Sequence, residues 1–330
     1  MSRVAVVFTG GTISMVVDPR AGGAVPALDG AAILARTPGL AEIAEVVAVD
    51  RGMIPASHWT FERLLGLAAD VRGLAAEPAI DGVVVVQGTD TIEESSLAFD
   101  LLVDSSKPIV VTGAMHNATD PAYDGPANLR DAVRCAANRG LSGRGVVVVL
   151  AGTIQPAADV TKTHTSRLDT FQSLNTGAIG RLDGGRVVLD GDRRERRPIL
   201  EVARAAQPIP IVVATIGQDE GLIRAVRGLG PAGIVVEAAG AGNTSATLLA
   251  EAEAAIEAGI PVVLASRGPS GAAGTGYAFP GGGATWVRAG ALLAGTLTGP
   301  KARIALSLAL GAGLGGAELA EFLAGPGDLA

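Results

Sequence analysis

Residues 4–12 read VAVVFTGGT, an apolar run that passes directly into a threonine, two glycines and a second threonine. Five successive apolar residues are typical of a strand that is covered on both faces, as in a parallel sheet. Two adjacent glycines after such a strand permit a sharp turn and a close approach of backbone to backbone. The stretch therefore predicts a buried strand whose end presents the hydroxyl of Thr12.

The same alternation of apolar runs and helix-like stretches continues along the chain. Further strands are predicted at 46–49, 82–86, 109–111, 146–150, 211–216, 234–237 and 262–266. Helices are predicted near 30–37, 61–74, 93–102, 125–139, 221–228, 244–258 and 301–310. Strands that alternate with helices indicate right-handed crossovers. The pattern predicts an α/β protein with a Rossmann-like, mostly parallel sheet.

A break in this pattern predicts two domains. Residues 182–189 predict a hairpin, because Asp183-Gly184-Gly185 is a turn signal between apolar residues. A charged, arginine-rich stretch follows, and then prolines at Pro198, Pro208 and Pro210. We interpret 191–207 as a linker between a larger N-terminal domain at 1–190 and a smaller α/β domain at 208–330.

Composition excludes several classes of function. The formal net charge is −7, whereas a nucleic-acid-binding protein normally has a basic surface. Cys135 is the single cysteine, so neither an intrachain disulfide nor a thiolate metal cluster can form, and we expect a small buried hydrophobic residue there. The 3 histidines are far apart in sequence and lack the spacing of metal ligands. We expect no nucleic-acid partner and no metal.

The location of the protein is also predicted from patterning. No apolar run is long enough to cross a bilayer, and no signal peptide precedes the first predicted strand. A cytoplasmic protein without a membrane partner is the resulting expectation.

Three polar segments follow predicted strands, at residues 9–12, 87–91 and 159–163. Because the carboxyl ends of parallel strands share one edge of a sheet, we expect the three segments to meet in one cleft. Taken singly, each segment has another interpretation, since Gly-Gly-Thr and Thr-Asp-Thr also mark helix starts with threonine as the N-cap. The functional prediction depends on their occurring together.

The residue types in these segments suit acyl transfer. Thr12 would stand beside backbone N–H groups that can stabilise an oxyanion. A threonine hydroxyl becomes a good nucleophile only when a base removes its proton, and a buried lysine with a lowered pKa is one such base. Asp90, next to Thr89, could hold both that lysine and the ammonium group of a substrate.

The chain resembles the bacterial L-asparaginase/glutaminase family over nearly its whole length. The stretches that carry the resemblance are Thr9-Gly10-Gly11-Thr12-Ile13, Gly88-Thr89-Asp90-Thr91 with Glu93-Glu94, Thr112-Gly113-Ala114-Met115, Asp124-Gly125-Pro126-Ala127-Asn128-Leu129, Asp159-Val160-Thr161-Lys162-Thr163, Phe171-Gln172-Ser173, residues 240–243, Ser266-Arg267 and Lys301-Ala302-Arg303.

The resemblance implies two α/β domains that hydrolyse side-chain amides to carboxylate and ammonia, without a metal or organic cofactor. It implies dimers, often tetramers, with active sites at subunit interfaces. Thr12 corresponds to the nucleophile, and Thr89, Asp90 and Lys162 to a second catalytic group in which Lys162 assists Thr89. The residues that would border or bind the small amide substrate are Gly11, Asp50, Arg51, Gly88, Ala114 and Asn243, the last reaching a neighbouring subunit's site.

Two departures from the family lie beside the two threonines: one in the loop after Thr12, and one at the position before Gly88-Thr89. The family commonly has a tyrosine in a mobile loop after the first threonine, but residues 14–26 contain none. Asp18 and Arg20 are the polar residues of that loop, and the only tyrosines are Tyr123 and Tyr277. Gln87 replaces the usual histidine and is expected to keep its hydrogen-bonding capacity.

Two further departures concern substrate recognition. Asp50-Arg51-Gly52-Met53 stands where the family has a carboxylate-binding serine, and residues 278–285 lack an acidic residue. The Arg51 guanidinium either grips a substrate carboxylate or forms a surface pair with Asp50. Besides asparagine hydrolysis, two functions therefore stay open: a hydrolase of another amide, lactam or ester, and a non-catalytic binding protein.

Overall fold

In the computed structural model, residues 1–191, 193–218 and 221–326 are described, and the chain divides into two units, Met1–Arg194 and Glu195–Ala330. The strands of the larger unit are β1 Arg3–Phe8, β2 Met15–Asp18, β3 Gly23–Pro26, β4 Glu45–Asp50, β5 Gly82–Val86, β6 Ile109–Thr112, β7 Val146–Leu150, β8 Thr153–Pro156, β9 Val160–Lys162, β10 Phe171–Ser173, β11 Gly180–Asp183 and β12 Arg186–Leu189. Its α-helices are α1 Gly30–Ala35, α2 Phe61–Ala76, α3 Ile92–Leu102 and α4 Gly125–Ala136.

Eight strands of this unit form one sheet in the order β12-β11-β8-β7-β6-β5-β1-β4. β4, β1, β5, β6 and β7 run parallel, and β8, β11 and β12 extend the sheet with antiparallel pairs. The predicted α/β fold with a mostly parallel sheet is confirmed. The predicted hairpin around Asp183-Gly184-Gly185 is confirmed as well, since Asp183 pairs with Arg186.

The apolar runs form these strands because both of their faces are covered. Residues 4–8 are at most 2% exposed, and residues 82–86 are buried throughout. α4 packs onto one face through Leu129, Val133 and Cys135, which are fully buried. Each fully buried aliphatic side chain of this kind contributes about 1.5–3 kcal/mol relative to exposure, so covering both faces of the sheet stabilises the larger unit.

The smaller unit holds a second parallel sheet, in the order β13-β14-β15-β16. Its elements are β13 Ile211–Val213, α5 Leu222–Arg227, β14 Ile234–Ala238, α6 Ala246–Glu257, β15 Val262–Ser266, α7 Gly283–Arg288, β16 Leu292–Leu293, α8 Gly299–Gly311 and α9 Gly316–Ala324. Trp286 is fully buried in its core and donates its indole N–H to Thr244 Oγ1 at 3.0 Å.

The structure differs from the sequence prediction mainly in short elements. The strand predicted at 211–216 ends at Val213, and Ile216 is fully exposed. Residues 14–26, expected to be a loop, contain the antiparallel pair β2–β3. Within the described ranges no helix is long and apolar enough to cross a membrane.

Two glycines test the packing of this fold. A Cβ at Gly82 would lie 2.1 Å from the carbonyl oxygen of Ala136, so Gly82→Ala should lower the free energy of unfolding by about 1–3 kcal/mol through overpacking of β5 against α4. Gly66, on the exposed face of α2, has no neighbour within 4 Å of such a Cβ. Gly66→Ala should stabilise the protein by about 0.5–1 kcal/mol. Denaturant unfolding of both variants measures the two effects, and equal effects would contradict the packing described here.

Candidate active site

The turns that follow β1 and β5 are in direct backbone contact. β1 and β5 are parallel neighbours, with Phe8 opposite Val86. Gly11 has φ 95°, and a Cβ on it would lie 2.2 Å from the main-chain nitrogen of Gly88. Only a glycine permits this approach. It places the turn of Thr12, which is half-buried, beside the turn of Thr89, which is 4% exposed.

Lys162 reaches this pair of turns from β9. Its Nζ donates to Thr89 Oγ1 at 2.9 Å and to Asp90 Oδ1 at 2.7 Å. The lysine side chain is 16% exposed, whereas that of Asp90 is 72% exposed. The structure therefore brings Thr89, Asp90 and Lys162 together, with an ammonium group at hydrogen-bonding distance from a threonine oxygen.

The first turn of α3 holds β9 in place. The carboxylate of Glu93 accepts the main-chain N–H of Lys162 at 3.1 Å and also the hydroxyl of Thr161. In the sequence, the signal for this contact is an acidic residue two positions after Thr91, within the motif at residues 88–94. The carboxylate positions the lysine without touching its ammonium group.

The end of β6 borders the same turns. A Cβ on Gly113 would lie 2.5 Å from the carbonyl oxygen of Gln87, and Ala114 is fully buried beside it. The Asp124 carboxylate accepts the N–H groups of Met115 and His116 at 3.1 and 2.9 Å. Asn128 donates its side-chain amide to the Gly113 carbonyl at 3.0 Å. Asp124 and Asn128 thus fix the path of the chain next to Ala114.

Gln87 keeps its hydrogen-bonding capacity, as predicted. It is fully buried, and its Oε1 accepts the hydroxyl of Ser95 at 2.8 Å. Its Nε2 donates to the carbonyl of Gly88 at 3.3 Å. The Gln87 side chain connects the Gly88-Thr89 turn to α3 and, as an amide, is uncharged.

Residues 50–54 lie against the first glycine turn. A Cβ on Gly10 would be 2.7 Å from Met53 Cα, and the Ile54 N–H donates to the Thr9 carbonyl at 3.1 Å. The Asp50 carboxylate accepts the N–H groups of Gly30 and Gly52 at 3.1 and 2.9 Å. Asp50 therefore shapes this segment.

The guanidinium of Arg51 is bound by α2. Its Nε and Nη2 donate to the two carboxylate oxygens of Asp70 at 2.6 and 3.2 Å, and this hydrogen bonding raises the pKa of Arg51. The alternative of a surface pair with the Asp50 side chain is wrong, because the Arg51 guanidinium pairs with Asp70 and meets Asp50 at its carbonyl oxygen, at 3.2 Å. Binding of a substrate carboxylate by Arg51 stays a prediction, and it requires release from Asp70.

Asn243 lies in the smaller unit, between β14 and α6. Its main chain pairs with that of Ala239 in both directions at 2.9 Å. Its side-chain Oδ1 is buried without a hydrogen-bond partner among the described residues. Its expected role in a neighbouring subunit stays a prediction.

Tyr123 approaches the first turn from a distant part of the chain. Its hydroxyl donates to the carbonyl of Ile13, next to Thr12, at 2.8 Å. Burial and, to a smaller extent, the nearby Asp124 carboxylate raise the pKa of Tyr123 to about 12, with Arg36 opposing the shift. Tyr277 lies in the smaller unit and is 49% exposed.

The polar residues of the loop after Thr12 bond to each other. The Asp18 carboxylate accepts the N–H of Arg20 at 2.7 Å.

Among the residues that the structure describes, no group of three or more His, Cys, Asp or Glu side chains could hold a metal ion. Cys135 is buried in α4, as predicted, and burial raises the pKa of its thiol to about 12.

Comparison with known proteins identifies relatives over both units. The family model for the N-terminal asparaginase domain matches residues 3–195, and that for the glutaminase/asparaginase C-terminal domain matches residues 209–323. A probable L-asparaginase of Deinococcus radiodurans is 36% identical over 320 residues, which is 95% of this chain and 94% of the relative. An L-asparaginase of Bacillus licheniformis is 30% identical over 308 residues, 93% of this chain and 95% of the relative.

A solved structure is similar along the same length. The crystal structure of a probable cytoplasmic L-asparaginase from Campylobacter jejuni has a TM-score of 0.84 and 29% identity, and the match covers 94% of this chain and 95% of that one. A relative from Haemophilus influenzae that is 36% identical over 235 residues, 70% of this chain and 66% of the relative, is named a probable periplasmic L-asparaginase.

The raised pKa of Tyr123 can be measured directly. In Tyr277→Phe, Tyr123 is the one remaining tyrosine, and its ionisation can be followed by near-ultraviolet absorbance. The midpoint should lie at about 12, above the ordinary value of 10. Because the folded pKa is the higher one, the stabilisation by the neutral phenol is complete below the unfolded pKa and is lost as pH rises towards 12. A midpoint at the ordinary value would show that the phenol is not buried.

Proposed function

The chain is a member of the asparaginase family, and from that premise we propose that it hydrolyses the side-chain amide of L-asparagine to aspartate and ammonia. The observation that carries the proposal is the junction of the two glycine turns with Lys162. It joins two threonine-bearing turns through the Gly11–Gly88 contact and sets an ammonium group 2.9 Å from one of the threonine oxygens.

In the proposed mechanism Thr12 Oγ1 attacks the amide carbon while its proton passes to a base. The oxyanion forms beside the backbone N–H groups of the two turns, which can stabilise it without reorganisation. The C–N bond then breaks, the leaving nitrogen takes that proton from the base and departs as ammonia, and Thr12 holds the acyl group as an ester. Water attacks the ester in the second half and regenerates Thr12.

Thr89, Asp90 and Lys162 serve the same reaction. The Lys162 ammonium favours the deprotonated form of the Thr89 hydroxyl to which it donates, so Thr89 can accept a proton during turnover. The exposed Asp90 carboxylate has one oxygen bound to Lys162. The other is available to a substrate ammonium, in keeping with the role that the family resemblance implies.

Substrate contacts and assembly complete the proposal. Gly11, Gly88 and Ala114 would line the site, with Asp50 and Arg51 on the segment beside Gly10. Asn243 would act across an interface in a homodimer or homotetramer, the role that the family resemblance implies. A cytoplasmic location is supported by the similarity to the Campylobacter jejuni protein.

Removal of either threonine hydroxyl should strongly reduce turnover. Thr12→Val and Thr89→Val keep the side-chain volume, and each should lower kcat for ammonia release from L-asparagine by at least about a hundredfold. Thr37→Val is the matched control, because that hydroxyl donates to the Ile33 carbonyl near the end of α1, at 2.9 Å, away from the two glycine turns. The control should stay within about twofold of the wild type. Activity of Thr12→Val equal to that of the wild type would exclude Thr12 as the nucleophile.

The lysine has its own test. Lys162→Met removes the ammonium group and should lower kcat by at least about a hundredfold. The control Lys107→Met should retain activity, because Lys107 Nζ bonds the Glu77 carbonyl at 2.6 Å in the wild type.

The same assay with L-glutamine, D-asparagine and carboxylated amides separates the alternative functions. A preference for another amide would establish a shifted substrate, and binding without turnover of any of them would establish a non-catalytic protein.

A further inference from the structure

In the turn that carries Thr12, each main-chain carbonyl of residues 11–14 accepts a hydrogen bond. Gly11 O accepts the N–H and the hydroxyl of Ser14 at 2.9 and 2.7 Å, and Thr12 O accepts the N–H of Met15. Ser14 O accepts the N–H groups of Ala27 and Leu28, both at 2.9 Å. Ile13 O differs, because its donor is a side chain 110 positions away, the hydroxyl of Tyr123.

The chain leading to Tyr123 also holds the strand that leaves this turn. The N–H of Ala118 donates to the Met15 carbonyl at 2.9 Å, and the N–H of Val17 donates to Thr119 Oγ1 at 3.2 Å. Thr119 is oriented by Asn117, whose Oδ1 accepts its hydroxyl at 2.6 Å. Residues 117–123, which we call the clasp, therefore bond to β2 at two positions and to the Thr12 turn at a third.

The clasp is itself anchored to the candidate site. Tyr123 N–H donates to the Asp120 carbonyl at 3.0 Å, and the next residue, Asp124, binds the main chain beside Ala114. A Cβ on Gly125 would lie 2.5 Å from the tyrosine ring, so the ring has little room to move. Ala118 and Tyr123 pack against the core of the larger unit together with Val16.

We propose that Tyr123 is a positioning residue for amide hydrolysis, and that its hydroxyl holds the Ile13 carbonyl so that Thr12 keeps its reactive orientation. The proposal rests on the proposed function. The segment after Thr12 is the β2–β3 hairpin, and the clasp bonds to it at Met15 and Val17.

The hydrogen-bond direction separates positioning from proton transfer. A carbonyl oxygen can only accept, so the phenol proton is committed to Ile13 O. The tyrosine also stays neutral until pH approaches about 12, because of its burial and the Asp124 carboxylate, with Arg36 opposing. Tyr123 therefore acts through the backbone of the turn.

Tyr123→Phe removes the donor and keeps the ring. Misplacement of a reactive group is costly, so kcat for ammonia release should fall about tenfold or more while KM changes less than about twofold. The pH profile of kcat should keep its midpoints at a lower plateau. Hydrogen exchange of β2 amides should become faster, because the bond that closes the turn is lost.

Two further variants sharpen the test. Tyr277→Phe makes the same chemical change at the exposed tyrosine of the smaller unit and should leave exchange of β2 at the wild-type rate. Thr119→Val removes the acceptor of the Val17 N–H and should speed exchange at Val17, so the clasp can be tested even where Tyr123→Phe does not fold.

The outcomes are distinct from those for the proposed function. Ammonia release by the wild type that is lost in Thr12→Val supports the function, whatever Tyr123→Phe does. Wild-type kcat and wild-type exchange in Tyr123→Phe would overturn the positioning role. Loss of one limb of the pH profile in Tyr123→Phe would overturn it too, since that result would make the phenol a proton-transfer group.

Discussion

The site depends on a contact between two backbones. Gly11 and Gly88 approach so closely that any side chain at Gly11 would coincide with the main chain of Gly88, and the positive φ of Gly11 is a further reason for glycine there. The contact is possible because β1 and β5 are adjacent and parallel, so that their ends emerge side by side. Thr12 and Thr89 each stand one residue beyond these glycines, and the contact therefore sets their relative position.

The charged part of the site contributes chemistry more than stability. The Lys162–Asp90 ion pair has one exposed partner, and such pairs are worth about 0–1 kcal/mol at most. Two of the three ammonium donors of Lys162 are used by Thr89 and Asp90. Lys162 therefore places a positive charge beside the hydroxyl oxygen of Thr89, which would be a poor proton acceptor without it.

Two side chains that stand next to an aspartate in the sequence form their hydrogen bonds with distant segments instead. Arg51 is next to Asp50, yet its guanidinium binds Asp70 on α2, and Arg63 of the same helix donates to the Arg51 carbonyl at 2.8 Å. Tyr123 is next to Asp124, yet its hydroxyl serves the turn of Thr12. In both cases a helix or loop from elsewhere in the chain fastens a segment that follows a strand of the sheet.

The sequence by itself determined which segments are buried strands and where the glycine turns fall, and it predicted that Thr12, Thr89, Asp90 and Lys162 meet in one cleft. Only the structure shows that Lys162 reaches this cleft from β9, after the antiparallel strand β8. Strands and turns can be predicted locally, because an apolar run indicates a strand buried on both faces and paired glycines indicate a sharp turn with a close backbone approach. The hairpin after Thr12 was not predicted, because β2 and β3 are short and half exposed and lack a periodic apolar pattern. Only the tertiary structure decided the Arg51–Asp70 pair, the Glu93 support of β9 and the Tyr123–Ile13 bond. Each of these joins segments distant in sequence, and which distant groups meet depends on the order of strands in the sheet.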